Sequence, residues 1–372
     1  MKKLSLLLVL SLFLLPTLSK AETVVYTLVD EKGNLLTYYC GECDTGDEYI
    51  TGDNQHYRVK AVDSATSIAI AQHLGNAAMP DVSWLDTADS QPVAAVGEKK
   101  IALYCTHSDE SYIKGDGTES VEGSGGIYDI ANEFGASLEQ LGVTVKISDA
   151  THLPHDAGAY RRSRQTAVEL LKSQPNAIFD IHRDGIPDPD EYATSIGNEE
   201  MSMVRLLVGK SNQNKDANLS FAKQIKAVAD KIYPGLIKDI YMGKGSYNQD
   251  LAPRSVLLEF GTHTLSKDLV LRSAKPMSEV VYKALFGGVV GSAGVSDTRG
   301  SSETKSENKV SKPATEDNTG SSWIIWLIFA LIIGLGIFAF LSTGGRGGLD
   351  KWGRSISEMT GGFLGKKPGK GK

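Results

Sequence analysis

The chain has 372 residues, 41% of them hydrophobic and 23% charged, with a formal net charge of −6. That length leaves room for one or two domains with a real core. The mildly acidic balance, with no basic patch in residues 22–322, excludes a nucleic-acid binder. Three cysteines admit at most one internal disulfide. Cys40 and Cys43 are the expected pair and Cys105 is left over.

At the N-terminus, Lys2 and Lys3 precede an apolar run over 4–15 and then Ser19-Lys20-Ala21. A basic start, a short apolar segment and small residues at −3 and −1 predict a signal peptide over 1–21; an uncleaved anchor is the alternative. Residues 22–95 read as a small β-rich region. A β-branched run over 23–29 meets a turn at Glu31-Lys-Gly-Asn34 and returns over 35–39. The segments 48–51 and 56–62 predict a hairpin around Gly52-Asp-Asn54, and 65–74 predicts a helix. Nothing in this region converges on chemistry; His56 and His73 stand alone.

Residues 98–292 alternate strand and helix signals, which predicts an α/β domain with a mostly parallel sheet and flanking helices. Strands are expected at 101–105, 143–147, 177–181, 204–209, 255–260 and, more weakly, 237–242. Helices are expected at 128–141, 164–171, 219–232 and 267–286. In the first of these, Ile130, Phe134, Leu138 and Leu141 share a face and Gly142 is placed to cap it.

Residues 293–322 hold hardly any apolar side chains and predict a disordered linker. An uncharged run over 323–341, with Trp323 and Trp326 at its start, is long enough for a transmembrane helix. The tail at 342–372 carries Arg346, Lys351, Arg354, Lys366, Lys367, Lys370 and Lys372, which predicts a cytoplasmic tail and an extracytoplasmic domain on a single membrane span.

Three apolar runs end on possible metal ligands: 101–107 reaches His107 and continues to Glu110, 177–182 reaches His182, and 255–259 reaches Glu259. C-terminal ends of parallel strands lie side by side, above the crevice where α/β proteins build sites. Two imidazoles and a carboxylate there, leaving one coordination position open, fit a catalytic zinc ion, Zn2+. His107, Glu110 and His182 are the expected ligands. A carboxylate at Glu259, after three apolar residues, is costly unless paired or functional. Desolvation would raise its pKa and suit it to accept a proton from the attacking water and deliver it to the leaving amine. Arg183, Asp184, Arg162, Arg164, Asn248 and Arg254 are candidates for binding substrate carboxylates or supporting the ligands, and Asp180 or Asp184 for orienting His182. His152, His155 and His263 are outside possibilities.

Several stretches resemble the stage II sporulation protein P family: Tyr104-Cys-Thr-His-Ser-Asp-Glu-Ser-Tyr112, Tyr160-Arg-Arg-Ser-Arg-Gln-Thr166, Phe179-Asp-Ile-His-Arg-Asp184, Tyr247-Asn-Gln-Asp-Leu-Ala-Pro-Arg254 and Leu257-Leu-Glu-Phe-Gly261. They occur in that family's order. The family is similar to zinc-dependent N-acetylmuramoyl-L-alanine amidases. The resemblance implies cleavage of peptidoglycan at the amide and within peptide cross-links, during engulfment in spore formation, with stage II sporulation proteins D and M as partners. Similarity to the amidases makes Glu119 and Glu122 rivals of Glu110 as the third ligand. Where the family often has His-Thr-His, this chain has Cys105-Thr106-His107; strand alternation would point Cys105 and His107 to one face, with only His107 at the strand end. A catalytically idle glycan-binding or scaffold component, or a zinc carboxypeptidase-like protease, are the alternatives.

Overall fold

The computed structural model describes residues 24–86, 98–156 and 158–287. The expected signal peptide, linker, membrane span and tail lie outside the described residues. Among those described, no helix is long and apolar enough to cross a membrane.

Five strands come first: β1 (Val25–Asp30), β2 (Leu35–Cys40), β3 (Glu48–Ile50), β4 (Gln55–Asp63) and β5 (Ile68–Asn76). The turn between β1 and β2 forms where the sequence places it, with the Asp30 carboxylate accepting from the amides of Lys32 and Asn34 and Gly33 at φ 84°. β3 and β4 make the expected hairpin. The helix expected over 65–74 is instead β5. Its run Ile68-Ala-Ile-Ala71 alternates, with Ala69 and Ala71 fully buried while Ile68 and Ile70 are exposed. Pairing with β1 on one side and β4 on the other overrides the helical propensity of the alanines.

From residue 100 strands and helices alternate as expected: β6 (Lys100–Tyr104), α1 (Ile127–Gln140), β7 (Thr144–Ile147), α2 (Ala159–Leu171) and β8 (Ala177–Asp184). A separate small hairpin of β9 (Ala193–Ile196) and β10 (Glu199–Ser202) follows. Then come β11 (Val204–Gly209), α3 (Lys215–Ile232), β12 (Ile237–Gly243), β13 (Ser255–Thr262) and α4 (Lys267–Phe286). Apart from β9 and β10, the strands form one sheet in the order β2-β1-β5-β4-β3-β12-β11-β13-β8-β6-β7. From β12 to β7 the pairings are parallel except that of β11 with β13. This is a mixed α/β fold with a large sheet, mostly parallel where the helices flank it. The antiparallel exception has a consequence for the site: the N-terminal ends of β11 and β12 lie beside the C-terminal ends of β8 and β13.

The two faces of the sheet are covered differently. On one, α1, α3 and α4 bury Phe134, Ile225 and Met277 against Phe179, Leu206 and Val256. On the other, α2 packs Ala167 and Leu170 on Ala102, Tyr104 and Ile178. Beside α2, the N-terminal strands pack Leu28, Tyr39 and Tyr49 on Leu207, Tyr241 and Leu257. β2 is the far edge of the sheet in pairing order, yet Tyr39 stacks on Tyr241 of β12 with ring centroids 3.7 Å apart. The sheet therefore curls, and β2 faces its own middle strands. Gly261, at φ 66°, forms the irregularity in β13 that follows Glu259.

Candidate metal centre

His107 and Glu110 lie in the turn after β6, closed by the Glu110 amide donating to the His107 carbonyl. His182 stands near the end of β8, beside Glu259 across the strand pair. One ligand atom each from His107, Glu110 and His182 lies within 4.8 Å of the others. Glu110 Oε1 is 3.1 Å from His107 Nδ1 and 3.4 Å from His182 Nδ1. Its other oxygen, Oε2, accepts the backbone N–H of Arg183 at 3.0 Å. The carboxylate is thereby aimed with one oxygen held by β8 and the other turned to both imidazoles.

Burial alone would push the Glu110 carboxyl up, but His182 and His107 outweigh it and hold it well below the usual range. At His107 burial wins and lowers the imidazole. At His182 burial also acts downward, but Asp180 and Glu110 together raise the ring well above an ordinary histidine. The His182 ring has no completed hydrogen bond at Nε2; Asp180 Oδ1 lies 3.0 Å away, in ion-pair range but off the N–H direction. Two imidazole nitrogens and one carboxylate oxygen, in a buried pocket with an outer carboxylate on one ring, fit a zinc ion.

Glu119 and Glu122 do not join this group. Glu119 is exposed, with its carboxylate 3.9 Å from His263, and Glu122 is also exposed. Arg183 is a staple, its guanidinium donating to the carbonyls of Ser111 and Glu119. Arg162 caps its own loop through the His152 carbonyl and Asp156. Arg164 pairs with Asp250 at 2.6 Å. Arg254 precedes β13, its carbonyl bound to the Ile178 amide, so it sits at the strand end away from Glu259. His152 is buried on the Cys105 carbonyl and Thr166, and the His263 carbonyl accepts from Ile113. His155 comes closest: it pairs with Asp109 at 2.9 Å and stacks on His107 with centroids 4.0 Å apart.

Cys105 does not share a face with His107. β6 ends at Tyr104, so strand alternation stops before it, and Cys105 lies in the core beneath the α1, α3 and α4 helices. The expected disulfide is absent too: Cys40, Cys43 and Cys105 all carry free thiols.

Glu259 sits in a buried charged row that the sequence reading missed. Across four neighbouring strands, His182, Glu259, Arg205 and Asp239 are successive partners. The fully buried Arg205 guanidinium donates to Asp239 at 2.7 Å and Asp184 at 2.8 Å and lies 3.9 Å from Glu259. Tyr192 donates to Asp184 at 2.7 Å and stands 3.2 Å from Glu259. Burial, and then Asp184, raise the Glu259 carboxyl well above its ordinary value, against the pull of Arg205. A charged residue inside the apolar run Val204-Arg-Leu-Leu-Val208 was the available signal.

The N-terminal strands also reach this site, contrary to the expectation that nothing there converges on chemistry. Arg205 donates to the Thr37 hydroxyl at 2.8 Å and the Tyr38 carbonyl at 3.0 Å. The Cys40 sulfur fills the space that a side chain at Gly185 would take. Burial, then Asp184 and Glu259, push the Cys40 thiol up to about 12.

With this geometry, comparison with known proteins decides the family. The stage II sporulation protein P family matches residues 51–282. The chain belongs to that family. It is 31% identical over 210 residues to stage II sporulation protein P of Bacillus subtilis (strain 168), covering 51% of this chain and 52% of that protein. The chain thus spans about half the length of this curated relative. Among solved structures, the chain is similar to several amidases. The N-acetylmuramoyl-L-alanine amidase AmiC2 of Nostoc punctiforme is 13% identical, with TM-score 0.32 and coverage of 51% of this chain and 96% of that one. The catalytic domain of the amidase CwlV from Bacillus (Paenibacillus) polymyxa var. colistinus is 15% identical, with TM-score 0.35 and coverage of 50% and 98%. The CwlD amidase from Clostridioides difficile, in complex with the GerS lipoprotein, is 16% identical, with TM-score 0.33 and coverage of 50% and 96%.

Proposed function

We propose that this chain is a zinc-dependent peptidoglycan hydrolase of spore formation, an N-acetylmuramoyl-L-alanine amidase that also cleaves peptide cross-links. The observation that carries the reading is the convergence of His107, Glu110 and His182 beside Glu259. Membership in the stage II sporulation protein P family supports the substrate and the setting. In this reading the enzyme is exported, held by a single span over 323–341 with its catalytic part outside the cytoplasm, and works with stage II sporulation proteins D and M.

His107, Glu110 and His182 would hold the zinc ion. When bound, zinc polarises the scissile carbonyl and lowers the pKa of the water it activates toward neutrality. Glu259 moves the proton. Its carboxyl, raised by burial, holds a proton more readily than an exposed glutamate does, which suits it to accept from the attacking water and donate to the leaving amine. Tyr192 and Asp184 fix its position, and Arg205 keeps the cluster from carrying uncompensated negative charge. Arg183 locks the loop that carries Glu110, which sets the ligand geometry before substrate arrives.

The full chain incubated with purified sacculi tests this. Free stem peptides with a new terminal amine, lost on chelation and restored by zinc, are the expected result. Retention on sacculi without any soluble product would favour the idle scaffold. Cleavage of protein substrates with intact sacculi would favour the carboxypeptidase-like protease.

A further inference from the structure

Asp180 lies two residues before His182 on the same face of β8, and it is held from outside the site by a chain of buried groups. It accepts from the amide of Thr106 at 2.8 Å through Oδ1 and from the Thr106 hydroxyl at 2.6 Å through Oδ2. The Thr106 hydroxyl lies 2.7 Å from that of Ser163 on α2. Asn248, in the loop after β12, donates through Nδ2 to Ser163 Oγ at 3.0 Å and to the Tyr160 carbonyl at 2.9 Å. Thr106 and Ser163 are fully buried, and Asn248 and Asp180 nearly so.

Chemistry orients the hydrogens along this chain from both of its ends. A carbonyl only accepts, so the amide nitrogen of Asn248 must face Tyr160 and Ser163. Ser163 accepts from Asn248, and its own hydrogen has the Thr106 hydroxyl at 2.7 Å and the Tyr160 carbonyl at 3.3 Å as acceptors, the shorter contact being that to Thr106. Thr106 spends its hydrogen on Asp180, so toward Ser163 it acts as acceptor. Asp180 then presents Oδ1 at 3.0 Å from His182 Nε2. A carboxylate at that nitrogen favours the neutral ring with its hydrogen on Nε2, the form that leaves a lone pair on Nδ1, the nitrogen that faces Glu110 beside Nδ1 of His107.

We infer that Asn248, Ser163 and Thr106 are positioning residues for the metal centre, selecting through Asp180 the His182 tautomer whose Nδ1 binds the ion. The inference rests on the zinc reading above. It joins the loop after β12, α2, the turn after β6 and the end of β8 into one support, and so makes zinc affinity depend on a residue that touches neither metal nor ligand. Asn248 adopts a left-handed backbone at φ 56°, which asparagine and glycine tolerate. Asn248→Gly therefore removes the donor and leaves the loop conformation accessible.

The test is zinc affinity of the full chain, measured by competition with a chromophoric chelator beside the melting temperature of the metal-free protein. Thr106→Val is expected to weaken zinc by roughly 10- to 100-fold, the effect of losing a group that orients a ligand. Thr106→Ser, which keeps the hydroxyl, is expected to restore it. Asn248→Gly and Ser163→Ala should weaken zinc in the same direction. Combined with Thr106→Val, neither should add a further loss, because all act through one carboxylate. Variants that melt earlier but bind zinc as the unaltered chain does would overturn the inference and leave the zinc reading intact. An unaltered chain that takes up no zinc would overturn the zinc reading itself, and this inference with it.

Discussion

At the scale of single residues, the proposed mechanism assigns binding and proton transfer to two different carboxyls. Glu110 and Glu259 are both buried carboxyls, yet two imidazoles hold the first low, whereas burial and Asp184 push the second up. Glu259→Gln keeps the volume and removes the proton acceptor. It is expected to retain zinc and lose about 10²- to 10⁴-fold in turnover, whereas His182→Ala and Glu110→Ala should lose zinc and turnover together; metal analysis beside a sacculus digestion assay distinguishes them. The same carboxyl has a stability consequence. A folded-state pKa above the ordinary value of 4.5 means that the native state binds the proton more tightly than the unfolded chain. Its contribution is fully present below pH 4.5 and is lost as pH rises through the folded value. Metal-free Glu259→Gln should therefore lose less stability than the unaltered protein as pH rises above 4.5 in urea melts. Equal slopes would show that Glu259 ionises as an exposed glutamate does.

Arg205 belongs to the next scale, because it ties elements together. It sits at the start of β11, reaches Asp239 on β12 and Asp184 on β8, and donates back to Thr37 and Tyr38 on β2. Removing it by Arg205→Met would leave buried carboxylates without their counter-charge, a loss of about 3–5 kcal/mol measurable by denaturant unfolding. Thr37→Val leaves only one guanidinium donor without its hydroxyl partner and should cost about 1–3 kcal/mol. A fragment of residues 98–287 would lose more than these bonds. It would uncover Leu207, Tyr241 and Leu257 and strip β12 of its β3 partner. Such a fragment is expected to aggregate or to be digested by protease at concentrations the full chain resists. A stable, zinc-binding fragment would show that the curled N-terminal strands only decorate the site.

For the whole molecule, the proposed orientation across a membrane would decide which substrate the site can meet. The apolar run at 323–341 and the lysines after it predict a catalytic part on the outer side. Protease added to intact cells stripped of wall should digest the residues before 323 and spare the basic tail. Protection of the catalytic part would remove peptidoglycan from its reach and overturn the proposed function as a whole.

Much of this was legible in the residues themselves. Apolar runs of strand length that end on His107, His182 and Glu259 pointed to the place where these residues come together, because in a sheet with matching strand directions such ends meet. The helical face of Ile130, Phe134 and Leu138 identified α1, because its period is local and its burial follows from it. Other features depend on pairings between residues far apart in the chain. Ala69 and Ala71 became strand residues only through β1 and β4. β11 entered the sheet antiparallel to β13, which delivered Arg205 to the catalytic end of the strands. The curl of the sheet brought Thr37 across to Arg205 and Cys40 across to Asp184 and Glu259, and Asn248 came within reach of Ser163 only once α2 had packed on β6 and β8. Periodicity and strand-end chemistry are properties of a segment, so the sequence alone determined the class of fold and singled out His107, Glu110 and His182 as the proposed ligands. Strand direction, sheet curvature and the buried network behind His182 arise when distant segments share one core, and only the tertiary structure decided them.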